Sequence, residues 1–263
     1  MLIRLVAALA IALAIVPIST PAVSQKKPLT PAETVVAFYR LLREQRYAEG
    51  FALSIYREAV DGLGAEDLAE LTPDFEATFA QIPEKIEIKG EQASGETATV
   101  FALFGGEGDV QEVSLVREDG RWLVGDAESL ELVRRDKTAF FFNTRIRVNH
   151  NEAFAVLKRI IGTETIRLKE KKAYGSLEEL LAEEKSLGAD IPGGVGTGYR
   201  FAVNVTPDRQ AFTVIAVPVK HGRTGRLSFF ADSGGIHAAD AGGLAVNESA
   251  PLLEQSQLES AAP

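Results

Sequence analysis

The chain of 263 residues has no cysteine, one methionine, one tryptophan and three histidines. Without cysteine there are no disulfides, no thiolate metal sites and no cysteine nucleophile. Positive charge is scarce too: 28 Lys and Arg against 37 Asp and Glu leave a formal net charge of -9. That balance argues against a general nucleic-acid binder, which needs a cationic surface to displace counterions from phosphates. The histidines are His150, His221 and His237, so none falls in residues 25–148. Long apolar runs are missing apart from residues 5–16, which are too short for a membrane-spanning helix of about 20 residues.

That run follows Arg4 and leads into a small-residue, Pro-containing exit ending Ala22-Val23-Ser24. This is the layout of a secretory signal peptide, with cleavage expected after Ser24 and a periplasmic or secreted destination. The expected division is residues 1–24 as signal peptide, 25–127 as a first domain, 128–148 as a connector, 149–246 as a second domain and 247–263 as a flexible tail. No membrane span is expected to remain after cleavage.

Composition is that of a folded chain, 46% hydrophobic and 25% charged. Thr30-Pro31-Ala32-Glu33 joins an N-cap, a first-turn proline and a capping-box Glu, and so predicts a helix start. Apolar spacing predicts a second helix restarting at Tyr47 and a third over residues 65–81, interrupted or kinked at Thr72-Pro73. From Lys85 the period drops to two, which predicts about four strands, with Asp119-Gly120 supplying the positive φ angles of a tight hairpin.

The second half is organised around a helix expected to begin at Asn149, with Glu152 reciprocating the cap, and to stop at Gly175. Ser176-Leu177-Glu178-Glu179 predicts a further short helix to about Lys185. Strands follow in the regions of residues 199–205, 212–219, 226–231 and 236–237, a meander whose apolar face needs the long helix as cover. In the connector, Ile146 and Val148 alternate with Arg145 and Arg147 and are read as an extra strand. Arg134, Arg135, Lys137, Arg145 and Arg147 form a basic patch there beside Phe140-Phe141-Phe142. Two readings stay open: a docking site for an acidic partner, or phenylalanines packed between domains with arginines paired to local carboxylates.

Residues 30–45, the Tyr47-Ala48-Glu49 restart and the stretch from Leu115 to Val124 resemble the nuclear transport factor 2-like superfamily, particularly small exported bacterial members. That resemblance implies a cone, a curved antiparallel sheet wrapped by three helices, with a pocket for which Tyr39 and Trp122 are the lining candidates. The order of the long helix, Tyr174-Gly175-Ser176-Leu177, Gly198-Tyr199-Arg200-Phe201, Val217-Pro218-Val219 and the stretch from Ser228 to Ile236 resembles the globular domains of type IV pilins and type II secretion pseudopilins. It departs from them in lacking the Gly-Phe-Thr-Leu-x-Glu processing motif and hydrophobic stem. The fold class is therefore expected to be α+β, a cone domain followed by a long helix packed on a small antiparallel sheet.

Chemistry is thinly represented. Asp74, Tyr39 and Tyr56 are the groups that could serve a cone pocket in place of histidine, and each reads first as structural. The Gly-rich segment from Pro192 to Gly198 lacks the Lys and following helix of a phosphate loop, and there is no Gly-x-Ser-x-Gly elbow. The pseudopilin resemblance implies a calcium site in the C-terminal loops, with Asp232 and Asp240 as candidates beside Glu248. Their spacing matches no regular calcium loop, and a solvated acidic turn is the reading taken. No cofactor and no catalytic residue are expected. The sequence reads as an exported, non-catalytic binding or scaffolding protein of the bacterial envelope, with a protein partner or second copy, or a small apolar ligand. The alternatives are an accessory component of a pilus or type II secretion system, and an enzyme using the cone pocket.

Overall fold

The computed structural model describes residues 28–260, so the expected signal peptide and its cleavage point lie outside the described residues. Helix α1 (Pro31–Arg43) starts as its sequence dictates: Glu33 donates its N–H to Thr30 Oγ1 at 3.2 Å while Glu33 Oε2 accepts the Thr30 N–H at 2.8 Å. Two short helices follow, α2 (Tyr47–Phe51) and α3 (Arg57–Val60), and then α4 (Ala65–Phe79). The interruption expected at Thr72-Pro73 is absent, since α4 carries Pro73 in its interior. Instead of capping a new start, the Thr72 hydroxyl turns back and donates to the Leu68 carbonyl at 2.8 Å.

Strands β1 (Ile86–Ser94), β2 (Thr97–Phe104), β3 (Gln111–Glu118) and β4 (Arg121–Val124) form an antiparallel meander in sequence order. Asp119 and Gly120 both have positive φ, 49° and 73°, as the two-residue hairpin requires. Val35, Phe38, Leu42, Phe51, Leu71 and Phe75 from the helices close on Val100, Val113 and Leu115 from the sheet.

The connector is where structure and expectation part. Residues 127–148 contain no strand. Helix α5 (Ala127–Asp136), capped by Asp126 through the Ser129 N–H, passes through a 3-10 turn (Lys137–Ala139) into α6 (Phe140–Lys171), a helix of 32 residues. The alternation at Arg145–Val148 is four residues long, too short to distinguish a strand from a helix. The longer pattern decides it: Phe142, Ile146, His150, Ala153, Leu157, Ile160, Glu164 and Arg167 are buried at steps of three and four. Asn149 is consequently mid-helix and caps nothing; its side-chain amide donates to the Thr224 carbonyl at 2.8 Å. At the other end α6 stops before Gly175, with Lys172 in the left-handed conformation at φ 57°.

Ser176 and Glu179 form the expected capping box of α7 (Leu177–Glu183), and α8 (Lys185–Asp190) continues after a break at Glu184. A 3-10 turn (Pro192–Gly194) leads into β5 (Val195–Gly196), β6 (Tyr199–Val205), β7 (Phe212–Pro218), β8 (Leu227–Asp232) and β9 (Gly235–Asp240). These five strands pair antiparallel in sequence order. Their inner face, with Tyr199, Phe201, Val214, Ala216, Phe229 and Ala231, packs on Phe154, Leu157 and Ile160 of α6. One helix thus serves two cores, Phe142 belonging to the first and Ala153 onward to the second. The fold is α+β: helices on a four-stranded sheet, a long helix, and a five-stranded sheet.

The stretch after Asn247, expected as a flexible tail, is packed through Leu258. Ala238 donates its N–H to the Pro251 carbonyl at 3.0 Å and Leu253 to the Ile236 carbonyl at 2.8 Å. This covers the outer edge of β9, and helix α9 (Gln255–Ser260) then buries Leu258. Leu258 in the second core and Leu253 packed against it supply the reason it does not stay in solvent.

Candidate functional site

Beside the first core, residues of α4 and α6 line a cleft of about 660 Å³. Its floor is aromatic because the Phe140-Phe141 pair of α6 meets the ring cluster of the first unit. Phe141 lies 4.9 Å from Phe75, 5.1 Å from Phe51 and 5.6 Å from Tyr56, centroid to centroid. Phe140 lies 5.4 Å from Tyr56, and Phe79 closes the far wall 5.9 Å from Phe51. Edge and tilted contacts of this kind hold the rings in fixed orientation; Phe51 and Phe75 are buried behind the half-buried Tyr56, Phe79, Phe140 and Phe141. Val148, 46% exposed, stands in the open mouth.

Arg145 fixes the width of the cleft. Its Nε donates to Asp74 at 2.6 Å, one terminal nitrogen to the Glu70 carboxylate at 3.1 Å and the other to the Glu70 carbonyl at 2.8 Å. Lys220, from the turn after β7, reaches the other Glu70 oxygen at 2.7 Å, and Arg223 pairs with Asp67 at 2.7 Å while stacking 4.1 Å over the Phe142 ring. The Lys220 contact, with the added fields of Arg223 and Arg145, holds the Glu70 carboxyl below its ordinary value. The second unit is thereby tied to α4 as well as to α6.

The pairing alternative for the basic patch describes Arg145, and it describes Arg134, which meets Glu118 and Glu131. It also describes Arg135, which meets Asp136 at 2.6 Å. Arg147 differs: its guanidinium forms no ion pair or hydrogen bond with another side chain among the described residues, and it lies at the rim of the cleft.

The pocket candidates of the sequence lie elsewhere. Tyr39 packs edge-on against Phe38 and Phe104, both at 5.0 Å, and burial raises its phenol. Trp122 lies on β4 beneath the Arg117 guanidinium at 5.5 Å. Neither lines the cleft. Asp232 and Asp240 fall at opposite ends of the β8–β9 hairpin, where Asp232 pairs with Gly235 and Asp240 with Leu227. Five residues of strand, on the order of 17 Å, separate those ends. Each aspartate accepts a local backbone N–H instead, Asp232 from Gly234 and Asp240 from Gly242, and Asp240 also meets His221 Nε2 at 2.8 Å. Among the described residues no group of three or more His, Cys, Asp or Glu is placed to hold a metal.

Phe75 and Phe79 line the cleft and are not singled out by the sequence. The available signal was the Phe140-Phe141-Phe142 triplet: on a helix three consecutive residues point three ways, so one of them must leave the core stripe. His150 also joins no site. Burial, and then the field of Arg226, pushes it down to about 4, and its neutral Nε2 accepts the backbone N–H groups of Arg226 and Leu227. Comparison of the chain with protein-family models, with curated proteins and with solved structures finds no match. Chemically the cleft can hold an apolar group against fixed aromatic rings; the histidines and the buried carboxyl of Glu164 do not line it.

Proposed function

We propose that this chain is an exported, non-catalytic binding protein of the bacterial cell envelope, and that the cleft between α4 and α6 takes a small apolar ligand. The observation that carries the reading is the lining itself. Six aromatic residues, Phe51, Tyr56, Phe75, Phe79, Phe140 and Phe141, converge on one open volume of the size that small-molecule sites occupy. Export rests on the leader pattern of residues 1–24, and among the described residues no helix is long and apolar enough to cross a membrane.

A nuclear transport factor 2-like unit followed by a pilin-like unit remains our reading of the architecture, supported by the order of helices, four-stranded meander, long helix and five-stranded meander. The alternative role, an accessory part of a pilus or secretion machine, would need a free helical stem. Here Phe141 and Phe142, at the start of α6, pack against Phe75 of α4 and the first core, which favours the ligand-binding role.

The test is titration of the full mature chain with 1-dodecanol, an uncharged apolar probe, followed by calorimetry. Saturable binding that disappears in Val148→Trp, which fills the mouth of the cleft, is the expected result. Absence of binding in the wild type, or binding unaffected by the tryptophan, overturns the proposal.

A further inference from the structure

Beside the cleft lies a smaller hollow of about 210 Å³, lined by Ser129, Asp136 and Asn143 among others. Tyr56, Phe140, Thr144 and Arg147 line both volumes and so form the neck between them. Most polar side chains around the neck are already partnered. Arg145 is held by Asp74 and Glu70, Asp136 by Arg135 and Asn143, and the Ser129 hydroxyl by Asp126. Three neck groups are not: the Arg147 guanidinium, the Tyr56 hydroxyl and the Thr144 hydroxyl make no side-chain hydrogen bond among the described residues.

These three donors have no protein acceptor among the described residues and are open to solvent, so one bound acceptor can meet them together. Arginine presents five N–H groups in a planar fork that matches a carboxylate, and hydroxyls add single donors. The field of Arg147 does reach Asp136, but that carboxylate is occupied by Arg135 at 2.6 Å and Asn143 at 3.2 Å. Glu152, the other charge on the cleft without a partner, is five residues farther along α6, on the order of 7.5 Å down the axis. Its negative charge disfavours an anion at that end and leaves the Arg147 end as the place for one.

We infer that the ligand is an amphiphilic carboxylate, its apolar body lying among Phe75, Phe79 and Phe141 and its carboxylate held at the neck by Arg147, with Tyr56 and Thr144 as further donors. This rests on the ligand-binding reading above and adds the polar end of the ligand to it. The arrangement is polarised in one direction, with rings filling the cleft on one side of the neck and donors on the other. A neutral chain of the same length would satisfy the rings and leave the donors facing solvent.

The experiment compares dodecanoate with 1-dodecanol, both below micelle-forming concentrations, on the full mature chain and on Arg147→Gln, whose fold is checked by circular dichroism. Dodecanoate is expected to bind the wild type about 10- to 100-fold more tightly than the alcohol, the range of one charge-assisted hydrogen-bonding group. In Arg147→Gln the ratio of dodecanoate to dodecanol affinity is expected to fall to within about threefold of unity. Equal affinity of the two probes in the wild type, or an advantage that survives in Arg147→Gln, overturns the carboxylate assignment and leaves the apolar-ligand reading standing. Failure of both probes to bind overturns both.

Discussion

His150 Nε2 accepts the backbone N–H of Arg226 at 3.0 Å and that of Leu227 at 3.3 Å, so a helix side chain closes the start of β8. The imidazole can do this only when neutral, with its proton on Nδ1. Burial and the Arg226 charge push His150 from 6.5 down to about 4. Between those values the unfolded chain binds the proton and the folded chain does not, so stability rises with pH across that window. Its contribution is complete above about pH 6.5 and lost as pH falls toward 4, a swing of about 3 kcal/mol. Urea unfolding of the wild type and His150→Gln from pH 4 to 7.5 checks this. The wild type should show the steeper slope, and parallel curves would refute the assignment.

Glu164 lies on the same buried stripe and titrates in the opposite sense. Its Oε2 accepts the Gly175 N–H at 2.8 Å, its Oε1 is buried without a partner, and burial raises its carboxyl above 4.5. A folded carboxyl raised in this way keeps its proton longer than the unfolded one. Stability from Glu164 is therefore full below about 4.5 and declines as pH rises through the folded value. Glu164→Gln keeps the acceptor for Gly175 and removes the charge. The variant should gain on the wild type as pH rises from 5 to 8, and a difference in unfolding free energy that stays flat with pH would count against a buried ionising carboxyl.

The same stripe explains what could and could not be read in advance. Local signals were legible where one residue decides the backbone: the Thr30 and Ser176 capping boxes and the Asp119-Gly120 hairpin stand where the sequence places them. The long helix is read as starting late because Asn149 and Glu152 have the spacing of a capping box and the four residues before them alternate like a strand, whereas its true course depends on distant partners such as the Arg226 backbone, 76 residues from His150. Asn149 looked like a cap for the same reason: nothing local says that its amide will find Thr224. The cleft was illegible for a related cause. It is lined by residues of both α4 and α6, and the sequence shows the rings without the placement of the helices.

Arg145 predicts a difference between buried and exposed ion pairs at one carboxylate. Its side chain is 12% exposed and satisfies both Glu70 and Asp74, whereas Lys220, bonded to the same Glu70, is 58% exposed. The carboxylates themselves keep contact with water, Glu70 at 29% and Asp74 at 46% exposure, so what Arg145 adds beyond Lys220 is an enclosed guanidinium that also bonds the Glu70 carbonyl. Arg145→Ala is expected to cost about 1–3 kcal/mol through its lost charge-assisted hydrogen bonds and Lys220→Ala less than about 1 kcal/mol. Chemical denaturation in low and high salt separates them, with only the Lys220 contribution expected to fade at 0.5 M salt.

Phe142 tests whether one helix holds the two cores together. The ring is 6% exposed and belongs to the core of the first unit, while eleven residues later, at Ala153, the same helix begins to cover the second sheet. Phe142→Ala is expected to cost about 3–5 kcal/mol through the lost burial and the cavity left behind. Were α6 a passive connector, that loss would be confined to the first unit. Because the helix is continuous and Arg223 stacks on this ring from the far side, amide exchange should also accelerate at Arg226 and Leu227, the donors that His150 holds. Faster exchange confined to residues 31–124, with the His150 donors unchanged, would show the two cores to be energetically separate.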